Sequence, residues 1–139
     1  MLARLKEREE KLQLLLQSLA EESAKGIPII VEGKKDICSL RTLNIPGSII
    51  PAKSGGRSLL SLVSEIEENR SSGVILLLDF DRRGKELTRR LKRHLEASKI
   101  TVNISFWLET FKLAGREIRN VESLATYMET LKDKTLRLA

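Results

Sequence analysis

The sequence has few of the residues on which several protein classes depend. Its single cysteine, Cys38, excludes an internal disulfide and favours a reducing compartment. Three phenylalanines, one tryptophan and one tyrosine are too few for a broad surface on which bases stack. No apolar run approaches the ~18 residues that a membrane-spanning helix needs, and the charged N-terminus does not resemble a signal peptide. We therefore expect a cytoplasmic protein without a membrane partner.

What the sequence does contain indicates one globular domain with a basic surface. The chain has 139 residues, of which 41% are hydrophobic and 32% charged, a balance typical of folded chains. Lysine and arginine outnumber aspartate and glutamate by 25 to 19, which gives a net charge of +6. This moderate excess of positive charge favours a polyanionic partner.

The N-terminal segment predicts one amphipathic helix. Residues 2–24 contain no glycine or proline, and their leucines recur at helical spacing, at Leu5, Leu12, Leu15, Leu16 and Leu19. This apolar face predicts either a helix packed across the sheet of the domain or a contact between two copies in a homodimer. We therefore divide the chain into a helix over residues 1–25, packed on or extending the domain, and a single α/β domain over residues 26–139.

The rest of the chain alternates predicted strands and helices. Short apolar or alternating runs predict strands over residues 27–31, 48–52, 74–78 and 101–108. Helices are predicted to end near residue 43 and to span about residues 57–69, 82–97 and 116–132. This order predicts a three-layer α/β/α fold with a four-stranded, mainly parallel sheet and helices on both faces. In the first of these helices we expect Cys38 to be a small core residue.

Acidic residues follow two of the predicted strands. The buried run over residues 74–78 stops at Asp79 and Asp81, and Glu32 follows the first strand. The carboxyl ends of parallel strands lie at one edge of a sheet, where ligands bind. If the two strands are neighbours, the three carboxylates share one small volume, and their mutual repulsion is offset by a cation. Carboxylate oxygens are ligands that Mg²⁺ prefers, so the sequence predicts a metal site at this edge.

Basic residues accompany the acids. The loop over residues 53–57, with its two glycines, is a weak candidate for phosphate binding. The predicted helix over residues 82–97 carries many more cations than acids, which indicates a phosphate-binding surface, although a solvated face remains an alternative. His94, in the same helix, is interpreted as structural. The predicted phosphate-binding residues are Lys34, Lys35, Lys53, Arg57, Arg82, Arg83, Arg89, Arg90 and Arg93.

Two motifs resemble the Toprim domain family. Ile29-Ile-Val-Glu32-Gly33 resembles the glutamate motif of that family, and Leu77-Leu-Asp79-Phe-Asp81-Arg-Arg-Gly84 resembles its paired-aspartate motif. The run Glu32-Gly-Lys-Lys-Asp36 is most similar to the ribosomal-RNA maturation nucleases and their small stand-alone archaeal relatives. Asn120-Val-Glu122 is similar to a Val-Glu element that occurs late in those proteins. The resemblance covers roughly residues 27–113.

The resemblance implies a metal-dependent activity on nucleic acid. It implies that Asp79 and Asp81 hold Mg²⁺, or alternatively Mn²⁺, and that Glu32 is a general acid/base or a further metal contact. Phosphodiester cleavage of RNA or DNA would follow from these roles. Some family members carry a third acid after the paired aspartates, where this chain has Arg83, which argues against a second tightly held metal.

Three functions are compatible with these features. The first is a Mg²⁺-dependent nuclease or related phosphotransferase. The second is a non-catalytic module that binds nucleic acid or a protein, as in family members without strand-cleaving activity. The third is a phosphatase with Asp79 as nucleophile, which is weaker because Arg83 stands where such enzymes usually carry threonine or valine.

Overall fold

The computed structural model describes residues 1–53, 55–69 and 73–139. The first helix and the helix after the third strand have the bounds that the sequence predicts. The elements are α1 (Leu2–Ala24), β1 (Ile29–Val31), α2 (Lys34–Thr42), β2 (Ile49–Pro51), α3 (Leu59–Glu68), β3 (Gly73–Leu76), α4 (Arg82–Ala97), β4 (Thr101–Asn103), α5 (Ser105–Ala114), a 3-10 turn (Val121–Ser123) and α6 (Leu124–Leu138).

The four strands form one parallel sheet in the order β2-β1-β3-β4. Ile30 of β1 lies opposite Ile50 of β2 and Leu76 of β3. The chain first adds β2 on one side of β1 and then returns to place β3 on the other side, so the strand order reverses between β1 and β3. The edge strands β2 and β4 have three residues each, and β2 ends at Pro51, which has no backbone N–H.

Helices cover both faces of the sheet. Side chains alternate along a strand, so that Ile29 and Val31 belong to one apolar cluster and Ile30 to the other. The first cluster is completed by residues of α1, α2, α5 and α6, and the second by residues of α3 and α4. The predicted three-layer α/β/α architecture with its parallel sheet is confirmed.

Helix α1 packs against α5 and α6. Leu12, Leu16 and Leu19 are buried in the first cluster, as their spacing predicts. Arg8 links the helix to the same layer by donating to Tyr127 across 3.2 Å. A homodimer through α1 stays a prediction, and it would have to use side chains other than these three leucines. No helix in the described ranges is long and apolar enough to cross a membrane.

The predicted fourth strand is too long. It ends at Asn103, and residues 105–108 belong to α5. The Asn103 side-chain oxygen accepts hydrogen bonds from the backbone N–H and the hydroxyl of Ser105, at 2.7 and 2.6 Å, which turns the chain into the helix. Helix α5 places Trp107 in the core, where its Nε1–H donates to the carbonyl of Leu78 across 2.9 Å. The last helix also differs, since it begins after the 3-10 turn and continues to Leu138.

The prediction that Cys38 lies in the core is wrong, because its side chain is exposed. The buried residues of α2 are Asp36, Ser39 and Leu40. Ser39 is buried because its hydroxyl oxygen accepts the backbone N–H of Ala125, across 3.1 Å, where α6 begins. The inner face of α2 is thus partly polar, so hydrophobicity alone indicates the wrong face.

Candidate metal centre

Three carboxylates meet at the carboxyl edge of the sheet. Glu32 directly follows β1, and Asp79 and Asp81 follow β3, which pairs with β1. One carboxylate oxygen from each of the three residues lies within 4.8 Å of the other two. Because the strand order reverses between β1 and β3, the cluster occupies the position where α/β sheets bind ligands. Strands β1 and β3 are neighbours, which is the condition on which the predicted metal site depended.

Both carboxylate oxygens of Glu32 have a donor. The residue is 7% exposed. Its Oε1 accepts the backbone N–H of Asp79 at 3.4 Å, and its Oε2 lies 2.8 Å from Nζ of Lys53. The bond to Glu32 is the main reason why the pKa of Lys53 is raised. Lys53 therefore offsets part of the negative charge of the cluster.

The pKa of Asp79 reflects the negative charge that remains. Its pKa is raised to about 7, first by burial and then by the charges of Glu32, Asp36 and Asp81, while Lys53 opposes the shift. A raised pKa means that burial and the neighbouring carboxylates disfavour the negative charge of Asp79. An added cation would reverse that effect.

Phe80, between the two aspartates, is an anchor for the strand end. It is 4% exposed and packs against Trp107 and Phe111, with ring centroids 6.4 and 5.8 Å away. Its backbone N–H donates to the carbonyl of Arg119 across 2.7 Å. The motif thus combines an apolar residue that fixes the backbone with an acid on each side.

Asp81 also begins α4. It is the N-cap of that helix, and its Oδ1 accepts the backbone N–H of Gly84 at 2.8 Å. The hydrogen bond satisfies one of the free N–H groups of the first turn. The same side chain therefore starts the helix and belongs to the acidic cluster.

Asp36 is a further acid near this site, and its place there was missed by sequence reasoning. It is 4% exposed, and its Oδ2 accepts the backbone N–H of Gly33 at 2.9 Å. Its Oδ1 accepts no hydrogen bond of good geometry from the described residues. Burial is the main cause of the raised pKa of Asp36. Asp36 is the third residue of α2, and its bond to the N–H of the N-cap Gly33 is one half of a capping box, so an acid at this spacing before an apolar stretch is the signal that would have found it.

A shallow pocket of about 220 Å³ adjoins the cluster. Two of the three clustered acids, Glu32 and Asp79, line it together with Asp36. Their carboxylate oxygens are suitable ligands for a hard cation such as Mg²⁺. The backbone N–H of Glu122 is close enough to Asp36 to lower its pKa without forming a hydrogen bond of good geometry, so Asp36 Oδ1 could also accept from a water bound to such a cation. The pocket is lined by Glu32, Gly33, Lys34, Lys35, Asp36, Lys53, Asp79 and Glu122.

Some of the predicted phosphate-binding cations lie at this pocket. Lys34, Lys35 and Lys53 line it. Lys35 lies 4.0 Å from Glu122, in the late Val-Glu element. Arg57 is not free, since it forms an ion pair with Glu65 and donates to the carbonyl of Pro51 at 3.3 Å. The predicted basic loop also includes Ser54, which lies outside the described residues.

The other predicted cations belong to α4. Arg82 and Arg83 lie in its first turn, directly after Asp81, and the side chain of Arg82 is 93% exposed. Further along the helix, Arg89, Arg90 and Arg93 are exposed as well. His94, in the last turn, is also exposed. The structure therefore places a basic surface along α4 that begins beside the acidic cluster.

Comparisons with known proteins agree with this arrangement. The family model described as Toprim domain matches residues 27–107. A UPF0292 protein from Methanosarcina acetivorans is 37% identical over 130 residues, which cover 94% of this chain and 88% of that protein. A UPF0292 protein from Methanocaldococcus jannaschii is 38% identical over 120 residues, covering 86% and 91%. A solved structure, a putative protein from Aquifex aeolicus, is 26% identical with a TM-score of 0.69, covering 81% of this chain and 96% of that one.

Proposed function

Because the chain belongs to the Toprim domain family, we propose that it is a Mg²⁺-dependent protein that cleaves phosphodiester bonds in RNA or DNA. The observation that carries the proposal is the cluster of Glu32, Asp79 and Asp81. One carboxylate oxygen from each residue lies within 4.8 Å of the other two, at the place where the strand order reverses. Three ionised carboxylates so close together repel one another, and a bound cation would offset that repulsion.

Each acid has a role in this proposal. Asp79 and Asp81 hold Mg²⁺, or Mn²⁺ in its place, and Glu32 is the general acid/base or a further ligand. When bound, the metal would neutralise charge that develops on the phosphate and lower the pKa of an attacking water. Glu32 is the most buried of the three, so its carboxylate is shielded from bulk solvent.

The cations bind the substrate backbone. Lys34 and Lys35 lie at the pocket and would contact phosphates next to the cleaved bond. The exposed arginines of α4 would hold phosphates further along the strand. Contacts of this kind contribute affinity without reading the base sequence.

A second candidate is a non-catalytic module that binds nucleic acid. The observation in its favour is the ion pair between Lys53 and Glu32, because a carboxylate engaged by an ammonium at 2.8 Å is not poised to give or take a proton. The two functions share the metal and the basic surface. They differ only in whether the bound strand is cut.

Cleavage assays separate the two functions. Labelled single- and double-stranded RNA and DNA are incubated with the protein in Mg²⁺, Mn²⁺ or EDTA, together with Asp79→Ala, Glu32→Gln and the control Glu129→Gln, an exposed acid of α6. We expect metal-dependent cleavage that both site variants abolish and the control retains. Binding that survives in both site variants without any cleavage by the wild type would favour the second function. Release of phosphate from a small phosphoester, with polymers left intact, would contradict both.

A further inference from the structure

Lys53 and a metal ion would compete for the same atom. Glu32 Oε2 contacts Nζ of Lys53 at 2.8 Å, while Oε1 accepts the N–H of Asp79 at 3.4 Å. Every oxygen of Glu32 is thus already engaged. A dication that binds at Oε2 would lie close to the Lys53 ammonium, and the two positive charges would repel each other.

The donor from Asp79 is fixed in place. Its N–H lies in the segment that follows β3, between the N–H of Leu77, which bonds to the carbonyl of Ile30 at 2.8 Å, and that of Phe80, which bonds to the carbonyl of Arg119 at 2.7 Å. Moving this donor would strain the two backbone hydrogen bonds on either side of it. It is therefore less free to leave Glu32 than a side-chain donor would be.

The donor from Lys53 is able to leave. Its backbone is held, since its N–H donates to the carbonyl of Glu32 across 2.9 Å. Its side chain, however, is 58% exposed and ends in an ammonium on a flexible stem. The ammonium can turn towards solvent without any change in the sheet.

We propose that Lys53 is displaced by the metal: it neutralises Glu32 in the metal-free protein, and a divalent cation on Glu32 releases its ammonium to bind a phosphate of the nucleic acid. The inference rests on the proposed cation site. Lys53 is then a residue whose partner depends on the metal, and substrate binding at this position is coupled to metal binding.

Charge supports this exchange. An ammonium and a dication repel each other, so that holding both on one carboxylate costs electrostatic energy. A lysine side chain is ordinarily protonated at neutral pH, so the displaced group is a cation that can bind a phosphate. A substrate phosphate beside the metal would be the substrate anion nearest to the displaced ammonium.

The first test measures Mn²⁺ affinity by calorimetry without nucleic acid. Lys53→Met removes the competing ammonium, and Lys34→Met is the matched control, because Lys34 lines the same pocket and no ion pair or hydrogen bond from its side chain is seen in the described part of the chain. We expect Lys53→Met to bind Mn²⁺ about fivefold or more tighter than Lys34→Met does. Equal affinities of the two variants would overturn the inference.

The second test uses the pair itself. In a Glu32→Gln background, adding Lys53→Met should leave Mn²⁺ affinity unchanged, since the competition acts through Glu32. If Lys53→Met melts at a lower temperature in EDTA, Mn²⁺ should restore its melting temperature by more than it raises that of the wild type. An equal increase in both proteins would contradict the proposal.

The third test measures binding of a labelled oligonucleotide in EDTA and in Ca²⁺. We expect Lys53→Met to weaken binding in Ca²⁺ only, and Lys34→Met to weaken it equally in both conditions. An equal loss for Lys53→Met in both would show that it binds phosphate without the metal. If the wild type binds no divalent cation, the proposed function fails too, whereas cation binding with identical lysine variants removes this inference alone.

Discussion

Gly84 contacts the backbone of Asp79 so closely that a Cβ at Gly84 would lie 2.0 Å from the Asp79 carbonyl oxygen. The first turn of α4 therefore rests directly on the segment that follows β3. Asp79 and Asp81 are held in position by this contact together with the cap from Asp81 to Gly84. The glycine is required by the chain itself and does not depend on a ligand.

Substituting Gly84 should accordingly destabilise the protein. Although Gly→Ala within a helix usually stabilises, we expect Gly84→Ala to lower the free energy of unfolding by at least about 2 kcal/mol, because the backbone of Asp79 must move. Gly33→Ala is the control, since a Cβ at Gly33 meets nothing within 4 Å and should cost no more than about 1 kcal/mol. Urea denaturation in EDTA measures both. Equal stabilities would show that α4 shifts freely on the strand end.

The two roles of Asp81 can be separated by substitution. Asp81→Ala removes both the cap and the charge, and we expect a loss of about 1 kcal/mol in stability together with weaker Mn²⁺ binding. Asp81→Ser keeps a capping oxygen, so its stability in EDTA should stay near that of the wild type while Mn²⁺ affinity still falls. Denaturation and calorimetry give the two readings. Mn²⁺ affinity that survives in both variants would exclude Asp81 as a ligand.

The raised pKa of Asp79 predicts a pH dependence of stability. Its pKa is about 7 in the folded protein against an ordinary value of 3.8, so the native state binds more protons than the unfolded state between these values. The free energy of unfolding in EDTA should therefore fall as pH rises through this window. Asp79→Asn should remove this contribution, so that its free energy of unfolding increases relative to that of the wild type as pH rises. A stability difference between the two that does not change from about pH 5 to about pH 8 would contradict the assignment.

Metal binding should depend on pH for the same reason. A cation needs the deprotonated carboxylate, and at lower pH Asp79 holds a proton. We expect Mg²⁺ to raise the melting temperature of the wild type more at about pH 8 than at about pH 5. Thermal unfolding with and without Mg²⁺ measures the difference, and Asp79→Asn should lack it.

The arginines of α4 should contribute affinity for polymers. Arg89→Glu/Arg90→Glu is expected to weaken nucleic-acid binding roughly tenfold or more and to reduce the salt slope by about 2. Lys132→Glu/Lys134→Glu changes the net charge equally on exposed residues of α6, on the other side of the sheet, and serves as the control. Titrations at several salt concentrations distinguish the pairs. An equal loss of affinity in both double variants would show that the effect comes from net charge and not from the position of the α4 arginines.

The sequence was most informative where hydrophobic pattern and acids coincide. The buried run before Asp79 and the leucine spacing of α1 each predict their element, because burial there involves apolar side chains alone. The sequence failed where polar groups are buried by specific hydrogen bonds. Ser39 and Asp36 face inward, and Asn103 with Ser105 starts α5, through bonds that hydrophobicity does not encode.

The distance between acids was also beyond the reach of sequence. That Glu32 and Asp79 lie on neighbouring strands depends on the strand order, which alternation of elements does not determine. The partner of Lys53 depends on the same order, since β2 must lie beside β1 for the two side chains to meet. Both facts arise from topology.

The two outer strands have a consequence for how this protein meets others. Each offers three residues, and on one side Pro51 removes a hydrogen-bond donor. Such borders give an incoming peptide little main chain to pair with. Recognition by strand addition is thereby discouraged, as is edge-to-edge aggregation, which leaves helix surfaces and the loops at the strand tips as the places where a partner can dock.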